Sequence, residues 1–271
     1  AIALGLHASA FAQPALVVTP TTIGPTDTTI LDSVSGLAIP LATAQITVRN
    51  TTLTMNGRHT IASLVLEAGT PAAVLTHTAN TTFDYSGDGS DIVSGLELTI
   101  TGSAVIQGPG PGASAASINL DGRGHPAGAG PGAGQSTFEG GGGSHGGAGS
   151  NGNGAVAGPT YGDYAAPAFF GSGGGNDINT SGASGGAGGG RIHLTAGGTV
   201  TVDGDISAAG NNSVSTTSPG GGAGGSILIN AQSINGNGSI NANGGTGWST
   251  GGEGGGGRIA LLAAPDPAPH L

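Results

Sequence analysis

The chain has 271 residues, a formal net charge of −10, five arginines and no lysine. Without basic patches to neutralise phosphates, we expect neither nucleic-acid binding nor attachment to an anionic membrane surface. The chain has no cysteine, which excludes disulfides and thiolate metal sites, and no apolar stretch is long enough to be a transmembrane segment.

Glycine is concentrated in the second part of the chain, where 47 of the 59 glycines lie between residues 121 and 260. Such enrichment is typical of low-complexity sequence. However, 36% of the residues are hydrophobic and only 7% are charged, whereas disordered chains are usually charged and poor in aliphatic residues. The composition therefore favours an ordered fold.

Residues 1–18 form an apolar N-terminal segment. Ala1–Ala12 has the composition of a secretory signal ending in a small-x-small site, and an ordinary first strand or a docking arm are the alternatives. A docking arm would pair with the strand edge of a neighbouring copy, joining subunits head to tail. The assembly residues it would bury are Ile2, Leu4, Leu6 and Phe11.

Strand-like alternation runs through the rest of the chain, and helical periodicity is nearly absent. We predict irregular β-solenoid coils over residues 19–124, with a separate β-sandwich as the alternative, a glycine-rich β-solenoid over 125–262, and a tail over 263–271. The predicted strands are Ala15–Thr19, Gln45–Val48, Thr51–Met55, Ile61–Glu67, Ala73–Thr76, Gly95–Thr101, Ala104–Gln107, Ser117–Leu120, Arg191–Thr195, Thr199–Val202, Asp205–Ala208, Ser226–Asn230, Ser239–Asn241 and Arg258–Leu262.

A glycine run followed by a short strand recurs three times and places Arg191, Ser226 and Arg258 in register. A repeat of roughly 35 residues with several short strands per unit is typical of a solenoid. The fold class expected from it is all-β, a parallel β-helix or β-solenoid with glycine-rich loops. In such a fold, Arg191 and Arg258 are expected to bond carbonyls of the neighbouring coil.

Glycine also recurs at every third position, as at 140, 143, 146, 149 and 152. A polyproline-II-type helix has three residues per turn, so this spacing leaves one face without side chains. Such helices can approach closely and pair their backbone groups. The pattern predicts polyglycine-II-like helices, and flexible loops are the alternative.

Three groups of residues are candidates for chemistry. Asp84, Ser86, Asp88 and Gly89 have the D-x-S-x-D-G spacing of the first half of a calcium loop, and Asp91 is a substitute ligand from its second half. Position twelve is Gly95 instead of glutamate, and a solvated acidic turn is the alternative. Asp203 and Asp205 lie two apart on a strand, as catalytic carboxylates do in some β-helical polysaccharide lyases and hydrolases. A zinc site at His125, His145 and His193 lacks a close-spaced motif.

Several motifs resemble one family of proteins. NLDGRGHPAGAGPGAG (119–134), GGGGSHGGAG (140–149), GGAGGGRIHL (185–194), GGGAGGSILI (220–229) and GGGGRIAL (254–261) are similar to the glycine-rich β-helical modules of large secreted bacterial surface proteins. A weaker analogy links the glycine tracts to polyglycine-II adhesins. The resemblance implies an extracellular structural or adhesive role at the cell surface, and no particular reaction.

These observations predict a secreted, non-enzymatic protein that self-assembles into a surface filament, sheath or matrix. The alternative is an adhesin for carbohydrates or surfaces, in which Trp248, the only tryptophan, stacks on a surface glycan or a partner. A β-helical polysaccharide lyase or hydrolase is a further alternative. No cofactor is predicted apart from the calcium ion considered above.

Overall fold

The computed structural model describes residues 13–81, 95–178, 184–214 and 217–264. Within these ranges the fold is all-β, with one turn of 3-10 helix at Leu41–Thr43 and no α-helix. None of the helical structure in these ranges has the length and apolarity that a membrane-crossing helix requires.

Two parallel sheets and one antiparallel hairpin contain the described strands. Sheet A consists of β1 (Gln13–Val17), β5 (Ala44–Val48), β7 (Gly57–Ile61), β8 (Ser63–Leu66), β10 (Leu96–Ile100), β11 (Ala104–Ile106), β13 (Arg191–Val202), β15 (Ser226–Asn235) and β17 (Arg258–Ala263). Sheet B consists of β2 (Thr21–Ile23), β6 (Thr52–Met55), β9 (Val74–Thr76), β12 (Ser117–Asn119), β14 (Asp205–Ser207) and β16 (Ser239–Asn241). The hairpin is β3 (Thr29–Leu31) and β4 (Ala38–Pro40).

Sheet A has two halves that lie side by side along the strand direction. The long strands β13 and β15 run through both halves, and the shorter strands belong to one half each. The first half comprises β7, β10, β17 and the starts of β13 and β15, in register with Arg191–Ala196. The second half comprises β1, β5, β8, β11 and the ends of β13 and β15, in register with Val200–Val202. A register irregularity between Ala196 and Thr199 separates the halves.

The hydrophobic core is built from columns of apolar side chains that stack along the sheets. Because strand residues alternate between faces, every second residue of a strand enters the core, and parallel pairing aligns it with its counterpart in the next strand. In the first half of sheet A, one column runs through Leu96, Ile192, Ile227 and Ile259 and another through Leu98, Leu194, Ile229 and Leu261.

The glycine segments are hydrogen-bonded to one another with a three-residue period. Each N–H of residues 220–225 donates to one of three neighbouring segments in turn. Gly220 and Ala223 donate to Gly175 and Ser172, Gly221 and Gly224 donate to Gly252 and Gly255, and Gly222 and Gly225 donate to Asn211 and Ala208. The central segment is therefore held on three sides.

Close backbone approach makes glycine necessary in this segment. A Cβ placed on Gly224 would lie well inside 3.0 Å of the Ala242 carbonyl oxygen, and one on Gly225 would meet the carbonyl oxygen of Gly190 in the same way. Gly256, in the neighbouring segment, is exposed, and the nearest atom to its Cβ position is 4.0 Å away. The need for glycine is thus specific to position.

The expectation of an all-β fold with parallel strands is confirmed, and each of the fourteen predicted strands overlaps an observed one. The strands expected at Arg191–Thr195 and Thr199–Val202 are joined in the single strand β13. Strands β2, β3, β4 and β7 were not anticipated. Strands from both predicted domains share the same sheets, because β10 and β11 pair with β13 and β12 pairs with β14.

Candidate interaction surfaces

The C-terminal end of sheet A leaves the hydrophobic core open. Ile259 and Leu261 of β17 continue the columns of Ile227 and Ile229, which are buried, yet they are 42% and 46% exposed. Beyond β17 no described strand covers them. Ile240 of β16 and Ile234 of β15 are likewise only partly buried. Within residues 217–264 the core therefore ends in an apolar surface, which we call the open end.

At the opposite end, the outer edge of β1 is closed by its own chain. Pro14 has no N–H to donate, as is common in edge strands. The Leu16 N–H donates to Asp32 Oδ1 (2.9 Å), and the Leu16 carbonyl accepts from the Ser33 N–H (2.8 Å). The Val18 N–H donates to Ser33 Oγ at 3.4 Å. The N–H groups of Leu16 and Val18 and the Leu16 carbonyl are therefore already engaged within the chain and do not offer themselves to another strand.

The hairpin and the 3-10 turn complete the cover at this end. Ile30 of β3, Ile39 of β4 and Leu41 are all buried in the core cluster. The 3-10 turn also contacts β7, the outermost strand of the first half at this end. The two ends of the described fold are therefore different, because one is capped and the other is open.

A second exposed surface is formed by the turns that connect the glycine segments. We call it the tip surface, and it comprises residues 135–140, 150–156, 176–178, 212–214 and 246–251. Hydrogen bonds link these turns, including Ile178 N–H to the Thr137 carbonyl (2.8 Å), Ser213 N–H to the Thr246 carbonyl (2.9 Å) and Asn153 N–H to the Thr250 carbonyl (3.1 Å). Each turn carries one exposed large apolar residue: Phe138, Val156, Ile178, Val214 and Trp248.

Trp248, predicted as a glycan or partner contact, lies on this surface and is 51% exposed. Its backbone N–H donates to the Pro219 carbonyl at 3.1 Å, which fixes the turn. The predicted calcium residues Asp84, Ser86, Asp88 and Asp91 lie outside the described residues, as do the predicted assembly residues Ile2, Leu4, Leu6 and Phe11.

The carboxylates of Asp203 and Asp205 accept hydrogen bonds from residues of the next repeat along the chain. Asp203 Oδ1 accepts from the Asn237 N–H (3.1 Å), and Asp205 Oδ1 accepts from Ser239 Oγ (2.6 Å). Both partners lie 34 residues further along the chain. These hydrogen bonds connect neighbouring segments of the fold, such as the paired strands β14 and β16, and so give both residues a structural role.

The histidines considered for zinc do not converge on a metal. No group of three or more potential ligands occurs in the described ranges. His145 is fully buried and its Nδ1 donates to the Gly224 carbonyl at 2.9 Å. His125 stacks edge-on against Phe170, with ring centroids 5.9 Å apart. His193 lies on β13, with Nε2 3.3 Å from Thr195 Oγ1.

Burial keeps two imidazoles neutral. Desolvation lowers the pKa of His77 to about 4, and it lowers the pKa of His145 to about 4 as well. The Nδ1 of His77 donates to the Thr78 carbonyl (2.7 Å), while its Nε2 accepts from the Arg191 N–H (3.1 Å). That pair of bonds requires the neutral imidazole with its proton on Nδ1.

The three residues aligned by the repeat hold residues 161–170 against the first residues of β13, β15 and β17 by hydrogen bonds. They are Arg191, Ser226 and Arg258. Arg191 Nη1 donates to the Ala168 carbonyl (2.5 Å) and Ser226 Oγ donates to the Phe169 carbonyl (2.6 Å). Arg258 donates from Nε and Nη2 to the Tyr161 carbonyl at 3.2 and 3.0 Å. The carbonyls in these arginine bonds belong to residues 161–170, whereas the sequence predicted carbonyls of the neighbouring coil.

Apart from Trp248, sequence reasoning missed the residues that form the two surfaces. Leu261 and Ile259 occupy core positions by pattern, and they are exposed because no further strand covers them within the described part of the chain. Phe138, Val156, Ile178 and Val214 are isolated in glycine-rich sequence with no shared motif. The signal that the sequence offered is that each glycine-rich turn contains one large apolar residue.

Comparisons with known proteins add no assignment to these surfaces. The chain finds no match among protein-family models, curated proteins or solved structures.

Proposed function

We propose that the chain is a secreted, non-enzymatic structural protein that self-assembles into a surface filament, sheath or matrix. The observation that carries this proposal is the open end, where core columns terminate in half-exposed Ile259 and Leu261. Apolar area of this kind gains about 25 cal/mol per Å² when it is removed from water. A second copy is the partner that such a surface recruits in a homopolymer.

The architecture in this proposal is a parallel β-solenoid with a polyglycine-II-like lattice on one side. The parallel order of sheets A and B and the stacked core columns support the solenoid. Support for the lattice comes from the three-residue rotation of hydrogen bonds around residues 220–225. Ordering so much glycine is costly in backbone entropy, and the dense hydrogen bonding offsets that cost.

The structural use of potential catalytic groups also supports a non-enzymatic role. Asp203 and Asp205 accept hydrogen bonds from Asn237 and Ser239 of the next repeat. His77 and His145 form hydrogen bonds with backbone groups in the interior. A lyase or hydrolase needs carboxylates available to a substrate in a cleft. The hydrogen bonds of these four residues instead connect segments of the fold to one another.

Sedimentation velocity over a range of protein concentrations tests self-assembly. We expect the weight-average sedimentation coefficient to rise with concentration, because heterologous or repeated contacts populate larger species by mass action. A coefficient that stays at the monomer value up to hundreds of micromolar would contradict the proposal.

The second candidate function, adhesion to carbohydrate, rests on the tip surface. Trp248 offers a half-exposed aromatic face, and Phe138 supplies another exposed ring on a linked turn. The turn at 246–251 also presents the Thr250 hydroxyl, whose oxygen lies 2.9 Å from Oγ of the neighbouring Ser218.

A glycan array separates the two candidates. If the chain is an adhesin, wild-type protein binds defined neutral glycans and Trp248→Ala loses about fivefold or more in affinity, because a stacking ring contributes about 1 kcal/mol or more. Tyr164→Ala serves as the control, since Tyr164 is exposed but lies outside the tip surface. Equal losses in both variants would argue against a site at Trp248.

A further inference from the structure

Asparagine is followed directly by glycine at six places in the chain. The six asparagines are Asn56, Asn151, Asn153, Asn235, Asn237 and Asn243. In this dipeptide the backbone nitrogen of glycine can attack the side-chain amide carbon of asparagine, because glycine has no Cβ to hinder the approach. The reaction needs an exposed asparagine, a glycine N–H that is not hydrogen-bonded, and room for the glycine peptide plane to rotate. These requirements separate Asn153 from the other five.

The other five asparagines precede a glycine whose backbone is held in place. In four of them a Cβ placed on the following glycine would lie inside 3.0 Å of a backbone carbonyl oxygen of another segment; these glycines are Gly152, Gly236, Gly238 and Gly244. The fifth asparagine, Asn56, is only 7% exposed, and Gly57 donates its N–H to the Gly95 carbonyl at 2.7 Å. These glycine peptides cannot rotate without displacing a neighbouring backbone or breaking a backbone hydrogen bond.

Asn153, on the tip surface, meets all three requirements. It is exposed, and with Gly154 it occupies the centre of a turn that the Ala155 N–H closes by donating to the Gly152 carbonyl at 3.3 Å. The Gly154 N–H has no backbone or side-chain acceptor among the described residues, because the bond that closes a turn uses its last N–H and not the central ones. A Cβ on Gly154 would have nothing within 4 Å, so this peptide plane has room to rotate.

We propose that Asn153 is a site of spontaneous covalent modification, at which its side chain cyclises onto Gly154 and is then hydrolysed. The Gly154 nitrogen gives up its proton and attacks Cγ of Asn153, the bond from Cγ to Nδ2 breaks, and ammonia leaves with that proton. Water opens the resulting cyclic imide, and it yields aspartate by attack on Cγ or isoaspartate by attack on the backbone carbonyl carbon. Water is the only co-reactant. The reaction needs only the folded turn, so it goes beyond the proposed self-assembly and does not depend on it.

The product alters the tip surface, because Asn153 links its own turn to two others. Asn153 Nδ2 donates to Glu139 Oε1 at 3.3 Å, and the Asn153 N–H donates to the Thr250 carbonyl at 3.1 Å. The other oxygen of the Glu139 carboxylate, Oε2, is buried and has no hydrogen-bond partner among the described residues. A new carboxylate at position 153 removes the amide donor and places a second negative charge beside Glu139, which disfavours their contact. We expect the turn at 135–140 to separate from the turn at 150–156.

Peptide mapping of the folded chain, kept at mildly alkaline pH in heavy-oxygen water, measures the reaction. Fragmentation in the mass spectrometer resolves Asn151 from Asn153 within one peptide, and the heavy oxygen marks products formed before digestion. We expect Asn153 to be converted at least about tenfold faster than any of the other five asparagines, because packed backbone opens rarely. Both aspartate and isoaspartate should form. Equal rates at Asn153 and Asn151, or no conversion at Asn153 in the time that the unfolded chain needs to react, would overturn the proposal.

The same chain unfolded in urea is the matched control, because it keeps the sequence and removes the packing. There we expect the six rates to converge to within about threefold, since folded structure no longer protects five of the sites. If Asn153 reacted as far ahead of the others in urea as it does in the folded chain, the selectivity would come from local sequence instead of the turn, and the proposal would be wrong.

Two aspartate variants test the consequence at the tip surface. Asn153→Asp installs the charge of the product. Asn151→Asp adds the same charge to another exposed residue of the same turn, whose Oδ1 accepts from the Ala157 N–H at 2.9 Å, a bond that aspartate keeps. Hydrogen–deuterium exchange at residues 135–140 should be about tenfold or more faster than wild type in Asn153→Asp and within about twofold of wild type in Asn151→Asp. Wild-type exchange in Asn153→Asp, or equal acceleration in both variants, would overturn the predicted separation of the turns.

Discussion

Replacing Gly224 by alanine is expected to destabilise the fold by about 3 kcal/mol or more, because packed interiors tolerate added carbon poorly. The new Cβ would fall well inside 3.0 Å of the Ala242 carbonyl oxygen, an atom of rigid backbone. Gly224 also donates its N–H to the Gly255 carbonyl (3.0 Å) and accepts from His145 Nδ1 (2.9 Å), so it cannot shift without loosening two neighbours. Urea denaturation of the variant measures the loss.

Gly256→Ala is the matched control for this prediction. Gly256 belongs to a neighbouring glycine segment, but it is exposed and the nearest atom to its Cβ position is 4.0 Å away. We expect the free energy of unfolding to change by no more than about 0.5 kcal/mol. If Gly224→Ala were as harmless as Gly256→Ala, the close packing of residues 220–225 would be wrong.

Acidification from pH 6.5 to pH 4.5 is expected to destabilise the fold strongly through His77 and His145. Burial lowers the pKa of each from 6.5 to about 4 in the folded chain. At about 1.36 kcal/mol per pH unit, a difference of about 2.5 units corresponds to roughly 3 kcal/mol per histidine across the full window. Most of that loss falls above pH 4.5.

The sign follows from proton binding. Below pH 6.5 the unfolded chain binds protons at these histidines while the folded chain does not, so unfolding becomes more favourable as pH falls. The stabilisation is complete above pH 6.5 and is lost as pH approaches 4. Carboxylates with a lowered pKa, such as Asp32 at about 2, act at lower pH, below their ordinary value of 3.8.

His145→Asn isolates one of the two histidines, because the asparagine amide retains a donor for the Gly224 carbonyl but does not titrate. Denaturation at pH 7.0, 5.5 and 4.5 should show that the variant loses roughly half as much stability as wild type over this range. An unchanged loss in His145→Asn would mean that this imidazole does not remain neutral in the folded chain.

The sequence was informative about strands because alternation is a local property. Residues such as Ile192 and Leu194 reveal a buried face without knowledge of the partner strand, so most of the parallel strands were located, although β2 and β7 were missed. The short strands β3 and β4 were missed because Asp27, Asp32 and Pro40 interrupt their region and their order depends on contacts with β1 and the core. β13 appeared as two strands because Gly197 and Gly198 mark the irregularity between its halves.

Long-range features needed the structure. Glycine at every third position predicted a bare face, but the hydrogen-bond acceptors of residues 220–225 lie between 11 (Gly222 to Asn211) and 51 (Ala223 to Ser172) residues away and follow no sequence signal. The exposure of Leu261 depends on where the sheet ends, since its own pattern matches buried Ile229. The half-exposed Trp248 was identified because it is the only tryptophan and lies in a glycine-rich loop. The other exposed apolar residues of the tip surface were not identified.

Negative-stain electron microscopy of the purified protein tests the central claim of self-assembly most directly. Wild-type protein and the Leu261→Asp variant are imaged at the same high concentration, after circular dichroism has shown equal folding. We predict regular assemblies in wild type and their loss or shortening in the variant, because the open end supplies one of the contacts. Strictly monomeric wild-type particles would contradict the account.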